Sequence, residues 1–254
     1  MSDNAVLPLF YTNVVGVNPA AHGALKLNRA AGYGFAAGSA TVPLGLGEIA
    51  LAARHYPVVF TSGPMAAPVA LVGIDEGGNV FLGPDGQWAP GAYVPAYLRA
   101  WPFIIVEDTR RAETFVAMEA GAACLGTDAG DALFEDGKPT AAMGEAVRFC
   151  AALRENMKAA AAFTRALDEA GLLHEEEATV NFSGGGTRKV RGFRLVRPEA
   201  LDQVADETFL DWRRRGWLGP VYAHLQSAGN WGRLVDMAVA RGRTGRAAAA
   251  VGGA

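Results

Sequence analysis

Cysteine is nearly missing from this chain. The two that occur, Cys124 and Cys150, form no CxxC pair and show no metal-ligand spacing, which excludes a disulfide scaffold and fits a reducing compartment. Histidine is almost as scarce: His22, His55, His174 and His224 give no HxD or HxxxH pattern, so no iron or zinc site is expected. Positive charge is not in surplus either. The net charge is −3 and the pI about 5.8, which excludes the basic surface that nucleic acid requires. Long apolar runs are interrupted. Residues 31–47 contain Pro43 among several glycines, and residues 56–74 contain Pro57, Pro64 and Pro68, whereas a spanning helix needs about 20 predominantly apolar residues in continuous helix. The N-terminus, Met1-Ser-Asp-Asn-Ala, has neither the basic start nor the apolar run of a secretory signal. The expectation is a soluble, cytoplasmic protein with no membrane span.

Familiar catalytic and cofactor motifs are also lacking. No G-x-S-x-G occurs, so there is no hydrolase elbow. Ser183-Gly-Gly-Gly-Thr187 lacks the Lys-Ser/Thr ending of a phosphate loop and reads as a hairpin tip. Gly32, Gly34 and Gly38 are spaced one residue too widely for a dinucleotide fingerprint, with no strand before them and Pro43 after. They read as a glycine-rich loop. No cofactor is expected.

Half of the 254 residues are hydrophobic, enough for one large domain or two small ones. Residues 1–40 look irregular. Residues 46–55 fit a short amphipathic helix ended by Pro57. Strand-like pieces follow at 58–61, 69–74 and 79–82, with turns at Ser62-Gly63-Pro64, Asp75-Glu-Gly-Gly78 and Gly83-Pro84-Asp85-Gly86. Gln87 and Trp88 begin a return strand. Residues 103–106 and 114–118 are the next strands, joined by a charged loop over 107–113. Residues 120–139 look loose, with a turn at Phe134-Glu-Asp-Gly137. Apolar residues then recur at 143, 147, 150, 153, 157, 160, 163, 167 and 170. That spacing predicts one long amphipathic helix, with Thr140 as its cap, Gly144 as a weak point and Gly171 near its end. Residues 179–183 and 188–196 form a hairpin. Short helices follow at 198–204 and 206–215, the second capped by Asp206 and stopped by Gly216, and more helix runs from 221 to about 240.

The expected class is α+β: an antiparallel β meander, a long amphipathic helix, a β-hairpin and C-terminal helices. The expected layout is an irregular segment 1–40, one domain over 41–240 and a disordered tail 241–254. A two-domain split near residue 140 is the alternative.

One stretch, residues 88–103, concentrates Trp88, Tyr93, Tyr97, Trp101 and Phe103 with three prolines and a single charge, Arg99. Prolines stiffen it, and rings this dense must be buried together or left as a patch. The corner either walls a ligand pocket, with Arg99 gripping a carboxylate or phosphate, or packs as core with Arg99 on a structural acid. His224, Ser227 and Asn230 or Trp231 lie three and four apart and share a helix face. That face either contributes to a site or ties its helix to the sheet through buried hydrogen bonds. His174-Glu-Glu-Glu177 offers metal ligands on paper but reads as a solvated charge run. The basic residues Arg188, Lys189, Arg191, Arg194 and Arg197, with Arg213–Arg215, fit either an acidic partner or a blunted edge strand.

Several pieces occur in the order found in one family: Val42-Pro43-Leu44, His55-Tyr-Pro-Val-Val-Phe60, Ala70-Leu-Val-Gly73, Asn79-Val-Phe-Leu82 and Gly86-Gln-Trp88. They continue with Tyr93-Val-Pro-Ala-Tyr97, Arg99, Trp101-Pro-Phe103, Gly192-Phe193, Gly216-Trp-Leu218, Tyr222-Ala-His-Leu-Gln-Ser227 and Asn230-Trp231. In these the chain resembles the SapC family, named after a bacterial surface-array locus. The resemblance implies a bacterial protein, and the family offers no established activity or catalytic residue set to carry over.

The reading that follows is an accessory or binding protein that holds a small molecule, a peptide or a partner protein. The ligand-binding residues are Trp88, Tyr93, Tyr97, Arg99, Trp101, His224, Ser227 and Asn230, with no metal. The alternative is an enzyme whose site gathers Arg99, His55 and His224 from distant parts of the chain. A purely structural role would need a large apolar patch or a stable oligomer. The sequence sets no oligomeric state.

Overall fold

The apolar spacing that predicts one long helix produces it. In the computed structural model Ala141–Glu169 is helical over 29 residues, without a break at Gly144. Thr140 takes the cap position, and its Oγ1 accepts a hydrogen bond from Met143 N at 3.3 Å. That satisfies one of the amide donors a helix start leaves free. Gly171, at φ +70°, leads the chain out in the left-handed conformation that glycine enters without a Cβ penalty. The structure describes residues 7–63, 65–74, 78–108, 113–181 and 187–251.

The N-terminal part contains β1 (Val14–Gly16), α1 (Pro19–His22), β2 (Lys26–Leu27), β3 (Thr41–Pro43), α2 (Ile49–Ala52), β4 (Val58–Thr61) and β5 (Pro68–Leu71). The middle contains α3 (Ala96–Ala100), β6 (Phe103–Asp108) and β7 (Glu113–Glu119). Four two-residue strands follow: β8 (Leu125–Gly126), β9 (Asp131–Ala132), β10 (Phe134–Glu135) and β11 (Lys138–Pro139). The long helix is α4. After it come β12 (Leu173–Asn181), β13 (Thr187–Val196), α5 (Pro198–Leu201), α6 (Asp206–Arg214), α7 (Leu218–Ser227) and α8 (Trp231–Val251).

Among the described strands all pairings are antiparallel, and the fold is α+β. The largest sheet runs β12-β13-β4-β5-β3. It joins the meander to the late hairpin by setting Phe193 opposite Thr61 and Arg194 opposite Phe60. A second sheet, β1-β7-β6, brings an early strand beside the middle of the chain. A third, β8-β2-β9, clamps Lys26 and Leu27 between two later strands.

Two hydrophobic cores result. The first gathers Tyr56, Phe60, Phe81, Trp88, Phe163, Leu167, Leu172, Val221 and Leu234 around the five-stranded sheet. The second gathers Leu27, Phe103, Met118, Leu133, Phe134, Met143 and Cys150. Helix α4 serves both: Met143 and Cys150 from its first half and Phe163 and Leu167 from its second. Each such ring or branched chain taken from water is worth roughly 1.5–3 kcal/mol.

The structure departs from expectation at several places. Residues 79–82 form no strand. Asn79 Oδ1 captures Phe81 N at 2.9 Å, and only a single bridge pairs Leu82 with Trp88. The side chain of Asn79 thus competes with a ladder for the backbone. Asp206 does not cap α6. Ala205 holds that position and no side chain caps it, so Asp206 and Glu207 act only as acids in the first turn. The aromatic stretch contains a helical turn, α3, entered after Pro95. The segment 1–40 supplies β1 and β2 to sheets, and α8 carries helix into the stretch 241–254. Parts of four expected turns and loops, at Pro64, 75–77, 109–112 and 183–186, lie outside the described residues, as do residues 1–6 and 252–254.

Candidate functional site

The aromatic stretch divides into an inner and an outer part. Trp88 is inner, 8% exposed. Its Nε1 donates to Tyr56 Oη at 2.8 Å, and Tyr56 Oη donates in turn to the carbonyl of Tyr93. Its ring lies 6.0 Å from Phe81 in a stacked arrangement and 6.0 Å from Tyr33 edge-on. Trp101 stacks on Phe35 at 3.9 Å, with its indole Nε1 buried and without a hydrogen-bond partner among the described residues. Tyr97 donates to the carbonyl of Leu9 at 3.0 Å, and burial pushes its phenol up to about 12. Trp88 and Trp101 are packing elements, and Tyr97 also lines a separate hollow of about 170 Å³ with Tyr11, Phe103 and Met157.

The outer part is organised by Glu48, a buried acid at the end of a 3-10 turn, Leu46–Glu48. Its Oε1 accepts from Gly45 N at 2.8 Å, and its Oε2 accepts from Tyr93 Oη at 2.8 Å and Ala96 N at 2.7 Å. A buried carboxylate is tolerable only when its oxygens are satisfied in this way. The turn presses against α4 where Gly47 N donates to Asn156 Oδ1 at 3.1 Å. A Cβ at Gly45 would meet Asn156 Cβ at 2.9 Å, so close approach requires glycine there.

Arg99 stands on this support. Its Nη2 donates to Tyr93 Oη at 3.2 Å and its Nε to the carbonyl of Val94 at 3.1 Å. A chain of hydrogen bonds thus runs from an exposed guanidinium through Tyr93 to buried Glu48. Burial, followed by the Glu48 carboxylate, raises the Tyr93 phenol to about 12, which keeps it a donor at neutral pH. The guanidinium carbon lies 5.0 Å from the Phe149 ring centre and 5.7 Å from that of Tyr93, within cation–π range. Arg99 has no carboxylate partner among the described residues, and its Nη1 donates to nothing there.

Two hollows flank Arg99 and Phe149. One, of about 360 Å³, is walled by Arg29, Tyr33, Arg99, Phe103, Glu145 and Phe149. The other, of about 290 Å³, is walled by Gly47, Glu48, Tyr93, Arg99, Phe149 and Asn156. Both are near the lower end of the range for small-molecule sites. Helix α4 supplies Glu145, Phe149, Leu153 and Asn156 along one face, at the three-and-four spacing of neighbouring turns.

The other predicted residues are engaged elsewhere. His224, 3% exposed, joins three elements. Its Nδ1 donates to the carbonyl of Val58 at 2.8 Å, which leaves Nε2 to accept from Val196 N at 3.1 Å. Burial drives its pKa down to about 4, with His174 adding a small push the same way. Ser227 Oγ accepts from Val58 N at 2.9 Å and donates to the carbonyl of His224 at 2.6 Å. Asn230 Nδ2 donates to the carbonyls of Ala53 and Tyr56 at 2.7 and 3.1 Å. None of the three lines either hollow at Arg99, and His55 lines neither as well. The chain's Arg99, His55 and His224 therefore do not converge there. Along β12 the acidic run is divided by alternation: Glu176 pairs with His174, Glu175 accepts from Ser62, and Glu177 meets Lys189 and Arg191.

Sequence reasoning missed Glu48, Arg29, Glu145, Phe149 and Asn156. Phe149 alone carried a signal, as a large ring off the core stripe of its helix.

Fold and site together define an α+β protein carrying a braced arginine, with no acid partner among the described residues, between two hollows. The chain belongs to the SapC family, whose family model matches residues 17–234. No curated protein and no solved structure matches it. Among the described residues no helix is long and apolar enough to cross a membrane.

Proposed function

We propose that this SapC-family chain is a binding or accessory protein that holds a small ligand at the Arg99 corner. One observation carries the reading. Arg99 is fixed in direction by Tyr93, Val94 and Phe149, yet its charge meets no acid among the described residues. An arginine kept only for packing has no need of such bracing, whereas a ligand clamp gains from it because little freedom is lost on binding. The inner rings Trp88 and Trp101 belong to this reading as the wall that holds the corner in shape. The two free thiols, Cys124 and Cys150, favour a reducing, cytoplasmic setting.

Protein-observed NMR with a fragment library tests the placement. Hits are expected to shift the Arg99 Nε–H signal and the amides of Tyr93 and Phe149. They should vanish in a folded Arg99→Gln, Phe149→Ala double variant. Hits that cluster elsewhere, or that persist unchanged in that variant, would remove the site.

A further inference from the structure

The larger hollow bears a second guanidinium. Arg29 enters it from a 3-10 turn, Arg29–Ala31, whose preceding residue Asn28 accepts from Ala30 N at 3.0 Å. Like Arg99, Arg29 is exposed and meets no acid among the described residues; unlike Arg99, its guanidinium makes no hydrogen bond there. Two arginines from segments some seventy residues apart in sequence therefore face one concavity. Other exposed arginines, such as Arg54 and Arg165, also lack an acid partner among the described residues, so the pairing state alone marks nothing; what sets Arg29 and Arg99 apart is that both line one hollow.

The rest of the lining narrows the ligand. Leu27, Ala100, Phe103, Ala146 and Phe149 make its floor apolar, and Glu145 adds one carboxylate at the rim. Two guanidinium groups against one carboxylate leave a single net positive charge. A doubly charged phosphate would be undercompensated and would meet Glu145. A singly charged, two-oxygen group on an apolar body matches both the charge and the floor.

Resting on the ligand-binding reading above, we infer that the groove between Arg29 and Arg99 takes a small monocarboxylate with an apolar body, its carboxylate forked by the two guanidinium groups and its body laid against Phe149 and Phe103.

The test titrates the full chain with benzoate, octanoate and 2-naphthoate, each beside its neutral amide, and with inorganic phosphate, by calorimetry and NMR mapping. At least one carboxylate is expected to bind at least tenfold more tightly than its amide. Arg29→Gln and Arg99→Gln should each weaken it at least fivefold and shrink the preference over the amide. Glu145→Gln, a surface change on α4, should tighten it about twofold. The inference is overturned if no carboxylate outbinds its amide, if phosphate outbinds every carboxylate, or if Glu145→Gln weakens binding. Amides and carboxylates bound equally at Arg99 and Phe149 would overturn the charge class while leaving the ligand-binding reading intact. Probes that all map away from this corner would overturn both.

Discussion

Two polar clusters in this molecule draw on similar side chains and end in opposite states. Around His224 the side chains close on backbone: one ring nitrogen donates to Val58, the other accepts from Val196, and Ser227 Oγ and Asn230 Nδ2 reach Val58, Ala53 and Tyr56. Around Arg99 the supporting groups are equally satisfied, since Glu48 accepts three bonds and Tyr93 both accepts and donates. The outermost group has donors that meet no partner among the described residues, and it faces a hollow. Residue type does not separate the two clusters. Remaining hydrogen-bonding capacity does, and a saturated cluster is a fastener.

The sharpest way to break this contrast is to remove each cluster's central residue. His224→Ala should cost the most, about 3 kcal/mol, because it leaves Val196 N buried and unpaired, strips Val58 O of its 2.8 Å donor so that only Ser227 Oγ at 3.5 Å remains, and empties a packed site. Urea denaturation at pH 7 reads that loss. If His224→Ala is tolerated with less than about 1 kcal/mol lost, the fastener reading fails.

Acid should act through the same residue. The folded pKa of His224 is about 4 against an ordinary 6.5. Between those values the unfolded chain binds a proton that the folded chain refuses, so stability falls as pH drops through that window and stops falling from this source below it. The full span is worth roughly 3 kcal/mol. Glu119 works lower. Burial alone would raise its pKa, but hydrogen bonds from Asn13, Thr12 N and Thr12 Oγ1 outweigh that and hold it below 4.5. Its contribution is present above 4.5 and is lost as pH falls through its depressed folded value. Unfolding curves from pH 7 to 3 should show the loss from pH 6.5 to 4 in the wild type and little of it in a His224→Gln variant.

Glu48→Gln should come next, at about 1–2 kcal/mol, since an amide has only one acceptor oxygen and its NH2 must face either Gly45 N or the Tyr93 and Ala96 donors. It should also weaken ligand binding by releasing Tyr93. Arg99→Gln should move stability least, by no more than about 0.5 kcal/mol, as expected of an exposed side chain. Chemical denaturation ranks the two, and an Arg99 cost equal to that of Glu48 would erase the distinction between support and free end.

The fold was more legible than the site, for reasons visible in particular residues. Helix α4 could be read because its core positions repeat every three or four residues over eight turns, and β4, β5, β6 and β7 because apolar runs lay between turn signals. The misreadings came from single side chains that overrule a pattern, as Asn79 does at Phe81 N. The aromatic stretch stands out in the sequence by its ring density, whereas the residues that gather around Arg99 carry little local mark. Glu48 gives no periodic signal in a short turn. Arg29 reaches the groove only because β2 is held between β8 and β9, roughly a hundred residues later in the chain. Contacts that distant leave no local mark in a sequence. By the same token His224 and Ser227 looked like site residues because helical spacing reports a shared face and not what that face touches. Residues 41–240 are proposed to unfold as one unit, because both cores draw on α4.

The pairing of β4 with β13 has a consequence for synthesis. Thr61 leaves the ribosome about 130 residues before its partner Phe193, which at roughly 5–20 residues per second is on the order of ten seconds. Throughout that interval the β4 edge at Phe60 and Thr61 lacks its β13 partner, and Val58 lacks Ser227 and His224. The nascent protein therefore passes through a sticky stage set by chain connectivity, and it is then, before the hairpin arrives, that a holding chaperone would have most to do.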